Sequence, residues 1–117
     1  CLIDSEEDLD NPNIVKVVLA GSGDALYFSR SVIPFASNSR ISSPLRHLGI
    51  YAYRKDVLRQ VTQLPQSSLE IAESLEQLRW LQNGFKIKVG TTDVETVGID
   101  TPQDLERAEE FLKTQLL

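Results

Sequence analysis

Residues 98–101 read Gly-Ile-Asp-Thr and run into Pro102, Gln103 and Asp104. Thr101 suits a helix N-cap, Pro102 the first helical position, and Asp104 the third. A cap needs one oxygen, so Asp100 is a carboxylate in excess. Hard divalent ions such as Mg²⁺ take carboxylate oxygens and keep several waters, so one or two protein carboxylates suffice. Asp100 is therefore the candidate metal-ligating and catalytic residue. The plainer reading is an interaction with the helix dipole. His47 is the only histidine. On a strand it would share a face with Gly49, Tyr51 and Tyr53, leaving Leu48, Ile50 and Ala52 on the other. A ring nitrogen, a bare backbone and two phenols suit a hydroxyl-rich ligand, and they suit a subunit interface equally. Glu76 and Gln77 form an acid–amide pair on a helix beside Leu75 and Leu78, either bordering a site or merely solvating the helix through pairs such as Glu76 with Arg79. Arg30 closes a strand. Its guanidinium could bind a carboxylate or phosphate bidentately, or cap the turn.

The elements that must hold these groups follow from pattern. Ile14–Leu19 is a β-branched strand. Gly21-Ser22-Gly23-Asp24 turns the chain into a second strand at Ala25–Ser29, giving a hairpin. Ser31–Pro44 is irregular and long enough to serve function. His47–Arg54 reads as a buried strand and Lys55–Thr62 as a short helix. Ser67 and Glu70 make a capping box, which opens one helix running to about Gln82, stopped by Asn83-Gly84. Ile71, Leu75, Leu78 and Leu81 are its expected apolar face. Glu70, Glu73, Gln77 and Trp80 fall on another stripe. Phe85–Val89 is a further strand, Thr92–Val97 is extended, and Thr101 to about Thr114 is the last helix, with Leu105, Ala108 and Leu112 as its buried stripe. Strands alternating with helices predict an α/β fold with a partly antiparallel sheet. The Gly-Ser-Gly-Asp run lies between two strands, so it is not a phosphate loop, and any nucleotide phosphate cradle lies elsewhere.

Bulk properties narrow the function. The 117 residues fit one domain. Of 17 acids, five (Asp4, Glu6, Glu7, Asp8 and Asp10) crowd into the first dozen residues, and the rest balance the 12 bases, so the net charge of -5 is local. Residues 1–13 read as an acidic linker or loop and 14–117 as the domain proper. No basic face points to nucleic acid. No apolar run approaches a membrane span, and no signal peptide is visible. A single cysteine, Cys1, fits a reducing cytoplasm. The sequence has no methionine, and its abrupt start points to a piece of a longer protein.

Several stretches coincide with one family. NPNIVKVVL (11–19), ALYFSRSVIP (25–34), RHLGIYAYRKDVL (46–58), SSLEIAESLEQLRWLQNGFKIKV (67–89) and GIDTPQDLERAE (98–109) resemble, in order and spacing, the carboxy-terminal half of the 3-deoxy-manno-octulosonate cytidylyltransferases, or CMP-Kdo synthetases. LYFSR and GIDTP are shared with wider nucleotidyltransferases. HLGIYAYR followed by LEQLR is more specific.

The resemblance implies a mixed-sheet α/β nucleotidyltransferase fold, a homodimer, CTP and Kdo as substrates, Mg²⁺ as cofactor, and a place in lipopolysaccharide biosynthesis in the bacterial cytoplasm. It assigns His47 and Tyr51 to sugar contact, Glu76 and Gln77 to the Kdo hydroxyls, Arg30 to the substrate pocket, and Asp100 to the metal. The family's phosphate loop, cytidine pocket and second metal aspartate have no counterpart in these residues. Such catalysis works by positioning and charge neutralisation, so the 117-residue chain is expected to be inactive alone. Two other readings stay open: a related acid-sugar nucleotidyltransferase, and a non-catalytic α/β dimerisation module.

Overall fold

A computed structural model describes residues 1–3, 5–37, 44–94, 98–99 and 101–115. Ser5 caps a short helix, α1 (Glu6–Asp10), by accepting from the Asp8 amide. Leu2 forms an isolated bridge with Leu45. The acidic opening is thus partly folded against the sheet.

The centre is a hairpin of β1 (Lys16–Leu19) and β2 (Ala25–Ser29), antiparallel, with Val17 opposite Phe28 and Lys16 opposite Ser29. Gly23, at φ 82°, takes the left-handed position in the turn that a side chain would resist. A third strand, β3 (Leu45–Arg46), pairs antiparallel with the other edge of β1. The sheet order is β2-β1-β3. Asp24 bridges Lys88, and the Ala25 and Val89 amides donate to the Ile87 and Gly23 carbonyls at 2.8 and 3.0 Å. The expected strand Phe85–Val89 is reduced to this bridged, extended run.

The predicted strand His47–Arg54 is not a strand. Only the His47 amide makes a sheet-like bond there, to the Val15 carbonyl at 2.8 Å. Strand pairing needs a neighbour along its length, and the described residues supply none beyond β3. Its expected core face is also overturned, since Ile50 is 84% exposed and Ala52 is exposed.

α2 (Lys55–Val61) follows as predicted. The predicted single helix 67–82 is two helices, α3 (Ser68–Glu73) and α4 (Gln77–Gln82). Ser74 separates them in the left-handed region, at φ 53° and ψ 47°. The capping box is present in full: Ser67 accepts from the Glu70 amide, and Glu70 accepts from the Ser67 amide. Gly84, at φ 82°, ends α4. The Phe85 and Gly84 amides there reach back to the Trp80 and Leu81 carbonyls, both at 3.0 Å, the doubly bonded left-handed stop that Asn-Gly announces.

The core gathers Val17, Ala25, Phe28, Leu75 and Leu78, with Tyr27, Leu45, Leu81 and Ile87 packed around it. Ile71, expected inside, is 64% exposed, because the break at Ser74 turns α3 away from the helical stripe of α4. The last helix, α5 (Pro102–Gln115), begins at a Thr101–Asp104 box. There the Asp104 amide donates to Thr101 Oγ1 at 3.2 Å, and the Thr101 amide donates to Asp104 Oδ2 at 2.9 Å. Of its expected stripe only Ala108 is buried; Leu105 and Leu112 are half exposed or more. No helix of the described residues is long and apolar enough to cross a membrane.

Candidate functional site

The segment after β3 lacks a ladder, yet it brings together the rings singled out from sequence. His47 packs edge-on against buried Phe28, with centroids 4.9 Å apart. Tyr51 Oη lies 2.8 Å from His47 Nε2, so the phenol donates to a bare Nε2 or accepts from Nε2–H. Tyr51 stacks on Tyr53 at 6.1 Å. Trp80, from α4, meets Tyr51 and Tyr53 edge-on at 5.3 and 5.5 Å, the geometry that aromatic quadrupoles favour.

Burial keeps these groups neutral. It lowers the His47 imidazole. It raises Tyr51 strongly, helped by Tyr53 and by the Glu76 charge. Tyr53 is raised by burial and then by Glu76. Glu76 is thus near enough for its charge to be felt by both phenols. It is exposed and lies 3.7 Å from Arg79. Glu76 and Trp80 stand four residues apart, one above the other on a helix face, and that face meets Tyr51 and Tyr53.

These rings line a cleft of about 620 Å³. Its walls include Val17, Phe28, Val57, Val61 and Ile87. Four cations, Arg46, Arg54, Lys86 and Lys88, also line it, and among the described residues no Asp or Glu does. A smaller space of about 240 Å³ on the far side of His47 is bounded by Ile14, Val15, Gly49 and Gly98.

The other predicted residues fall as follows. Gln77 is buried at the start of α4, 6% exposed, and is not in the cleft wall. Its side-chain amide makes no hydrogen bond among the described residues. Arg30 lies at the end of β2 with its guanidinium turned to carbonyls: Nε to Glu73 at 2.9 Å, Nη1 to Pro12 at 2.9 Å and Nη2 to Ser74 at 3.3 Å. This is the turn-capping alternative raised by the sequence. Asp100 lies outside the described residues. Among the described residues no group of three or more His, Cys, Asp or Glu side chains could hold a metal ion.

Sequence reasoning passed over three features. Trp80 completes the ring cluster, and its spacing from Glu76 was the available signal. The cleft cations are scattered at 46, 54, 86 and 88, so no local pattern marks them. Glu73, set aside on a polar stripe, is the centre of a network: it accepts from Ser29 Oγ at 2.6 Å, from the Arg30 amide at 3.0 Å and from Tyr27 Oη at 3.5 Å.

Comparison with known proteins fits this architecture. A solved structure of CMP:2-keto-3-deoxy-manno-octonic acid synthetase complexed with CTP superimposes with a TM-score of 0.88 at 44% identity, over 97% of this chain and 47% of that one. The fold is therefore that of an α/β nucleotidyltransferase. A family model described as cytidylyltransferase matches residues 2–87, and the chain belongs to the cytidylyltransferase family. Among its relatives, the 3-deoxy-manno-octulosonate cytidylyltransferase of Bacteroides thetaiotaomicron is 62% identical over 113 residues, 92% of this chain and 45% of the relative. That of Porphyromonas gingivalis is 53% identical over 117 residues, 95% of this chain and 46% of the relative. The chain spans about half the length of the curated relatives it matches.

Proposed function

We propose that these residues form the sugar-binding part of a CMP-Kdo synthetase, which transfers CMP from CTP to Kdo and releases pyrophosphate for lipopolysaccharide biosynthesis in the cytoplasm. One observation carries the reading: a ring-lined cleft whose wall, among the described residues, carries four cations and no acid. Stacked rings and phenols suit a hydroxylated ligand, and the cations suit its carboxylate and the phosphates of CTP. The similarity to enzymes of that name, one of them complexed with CTP, supports the substrate pair.

In this reading the Tyr51 hydroxyl and His47 bind sugar hydroxyls. Glu76, whose charge is felt by Tyr51 and Tyr53, accepts from a sugar hydroxyl beyond the cleft wall, and Gln77 next to it donates to another. Arg30 acts from behind, by holding the end of α3 just before Glu76. The anomeric hydroxyl of Kdo attacks the α-phosphorus, and the bond to the pyrophosphate oxygen breaks. Mg²⁺, when bound, neutralises phosphate charge. Asp100 is its proposed ligand in this sequence, with remaining donors from the nucleotide and from parts of the enzyme outside these residues. The described residues alone do not make a metal cage, and no further step is assigned to the ion. A homodimer is part of the proposal.

The test is CMP-Kdo formation from CTP and Kdo by a full-length cytidylyltransferase containing this sequence. Asp100→Ala there should cut turnover by roughly 100-fold or more while circular dichroism stays unchanged. Unaltered turnover removes the metal role. The isolated 117-residue chain should form no product, and product from it refutes the partition of the site.

A further inference from the structure

The least expected local structure is the break between α3 and α4. Ser68–Gln82 contains no Gly or Pro, and its apolar spacing favours one continuous helix. The chain instead enters the left-handed region at Ser74, which costs a non-glycine residue roughly 1 kcal/mol. Such a cost persists where surrounding contacts impose it.

Those contacts are reciprocal. The Glu73 carboxylate receives the Ser29 hydroxyl and the Arg30 amide from the end of β2. The Arg30 guanidinium returns to the Glu73 and Ser74 carbonyls, the exposed end of α3. A cation there also complements the negative pole of the helix. Burial pushes the Glu73 carboxyl upward, but hydrogen bonds from Ser29, the Arg30 amide and Tyr27 outweigh it, so it lies below its ordinary value and stays ionised. Immediately beyond the break, Glu76 stands at the N-cap of α4, and Trp80 on that helix meets Tyr51 and Tyr53.

We propose that Glu73 is a positioning residue, one that forces the left-handed turn at Ser74 and so sets α4, with Trp80 on it, against the aromatic wall of the sugar cleft. The proposal rests on the sugar-site reading above. Glu73 touches no substrate. It acts through the direction of α4. Replacing it with glutamine removes the charge and one acceptor. With its oxygen on the Arg30 N–H, its amide N–H meets Ser29 Oγ, which already accepts from the Ser31 amide, and the weakened network lets α3 run on into α4 and turns Trp80 off the rings.

The experiment uses a full-length cytidylyltransferase containing this sequence, with KM measured separately for Kdo and CTP. Glu73→Gln should raise the KM for Kdo roughly tenfold or more, since misplacement by about an ångström is enough for such a loss. The KM for CTP should stay within about twofold. Ser74→Val, which leaves the Glu73 network in place but resists positive φ, should reproduce the Kdo effect. Ser74→Gly added to Glu73→Gln should recover most of it, because glycine enters the turn freely. Equal rises in both KM values, or no recovery with glycine, overturn the proposal. So does an unchanged Kdo KM in Ser74→Val, which also covers failure of Glu73→Gln to fold. Tyr51→Phe and Glu76→Gln separate the two levels. If both leave Kdo binding unchanged, the sugar site is wrong and the positioning role falls with it. If they weaken Kdo binding while Glu73→Gln does not, only the positioning role falls.

Discussion

The hairpin with α3 and α4, and the segment His47–Arg54, are adjacent but built by opposite means. The first is fixed by backbone ladders and by charged side chains placed on backbone carbonyls: Arg30 on Glu73, Ser74 and Pro12, and Arg79 on Leu64. Arg79 also grips buried Glu70 with two bonds, at 2.7 and 2.5 Å. The second has almost no backbone pairing and is arranged by ring contacts, with Ile50 left 84% exposed. The difference teaches a division of labour. The first region owes its shape to contacts within these residues. The second presents chemistry, and among the described residues its backbone edge beyond His47 has no strand partner, the kind of edge that proteins usually pair or cover.

The comparison can be broken first at the core of the fixed region. Leu78 is fully buried against Val17 and Phe28, and Leu78→Ala should cost about 2–5 kcal/mol in urea denaturation of the chain. A loss below about 1 kcal/mol would mean that the core is not packed as described.

Acid probes the two regions separately. His47 is held below its ordinary 6.5 by burial, so the unfolded chain binds its proton first, and stability should begin to fall as pH drops through 6.5. Glu70 is lowered chiefly by its hydrogen bonds to Arg79, and Glu73 by bonds that outweigh burial, both from 4.5. Their contribution is complete above that pH and is lost below it. Two successive limbs in thermal unfolding against pH are expected, and His47→Gln should remove only the upper one. An upper limb that survives that change refutes the assignment. At the alkaline end, Tyr51 is raised from 10.0, mainly by burial, so stability should fall again above that value.

A finer comparison uses one cap and one exposed side chain. Ser67→Ala removes the oxygen that accepts from the Glu70 amide and should cost about 1 kcal/mol. Ile50→Ser, in the open segment, should change the stability of this chain by no more than about 0.5 kcal/mol. A larger loss would show that the segment is packed after all. Both are read from shifts in the urea midpoint.

What was legible in the sequence was what local chemistry decides. The hairpin, the capping box at Ser67, the stop at Asn83-Gly84 and the Thr101 start each depend on residues within a few positions, and each is present. The break at Ser74 was illegible because its cause is 44 residues away, at Ser29 and Arg30. The strand at His47 failed for the converse reason. Its residues suit a strand, but a strand exists only with a neighbour. The candidate site divides along the same line. His47 and Tyr51 meet, while Glu76 and Gln77 lie outside the cleft wall. The cations come from four places that no local pattern joins.

Lys16 sits at the root of the hairpin with no exposed surface. Its ammonium donates to the Asn11 and Arg30 carbonyls at 2.8 and 2.9 Å, and burial lowers its pKa. An amine acylating reagent cannot reach that nitrogen while the root is closed, and once uncovered the amine regains its ordinary basicity and reacts as an exposed lysine does. The labelling rate at Lys16 therefore serves as a built-in clock for the opening of the hairpin, readable by peptide mass without any added probe.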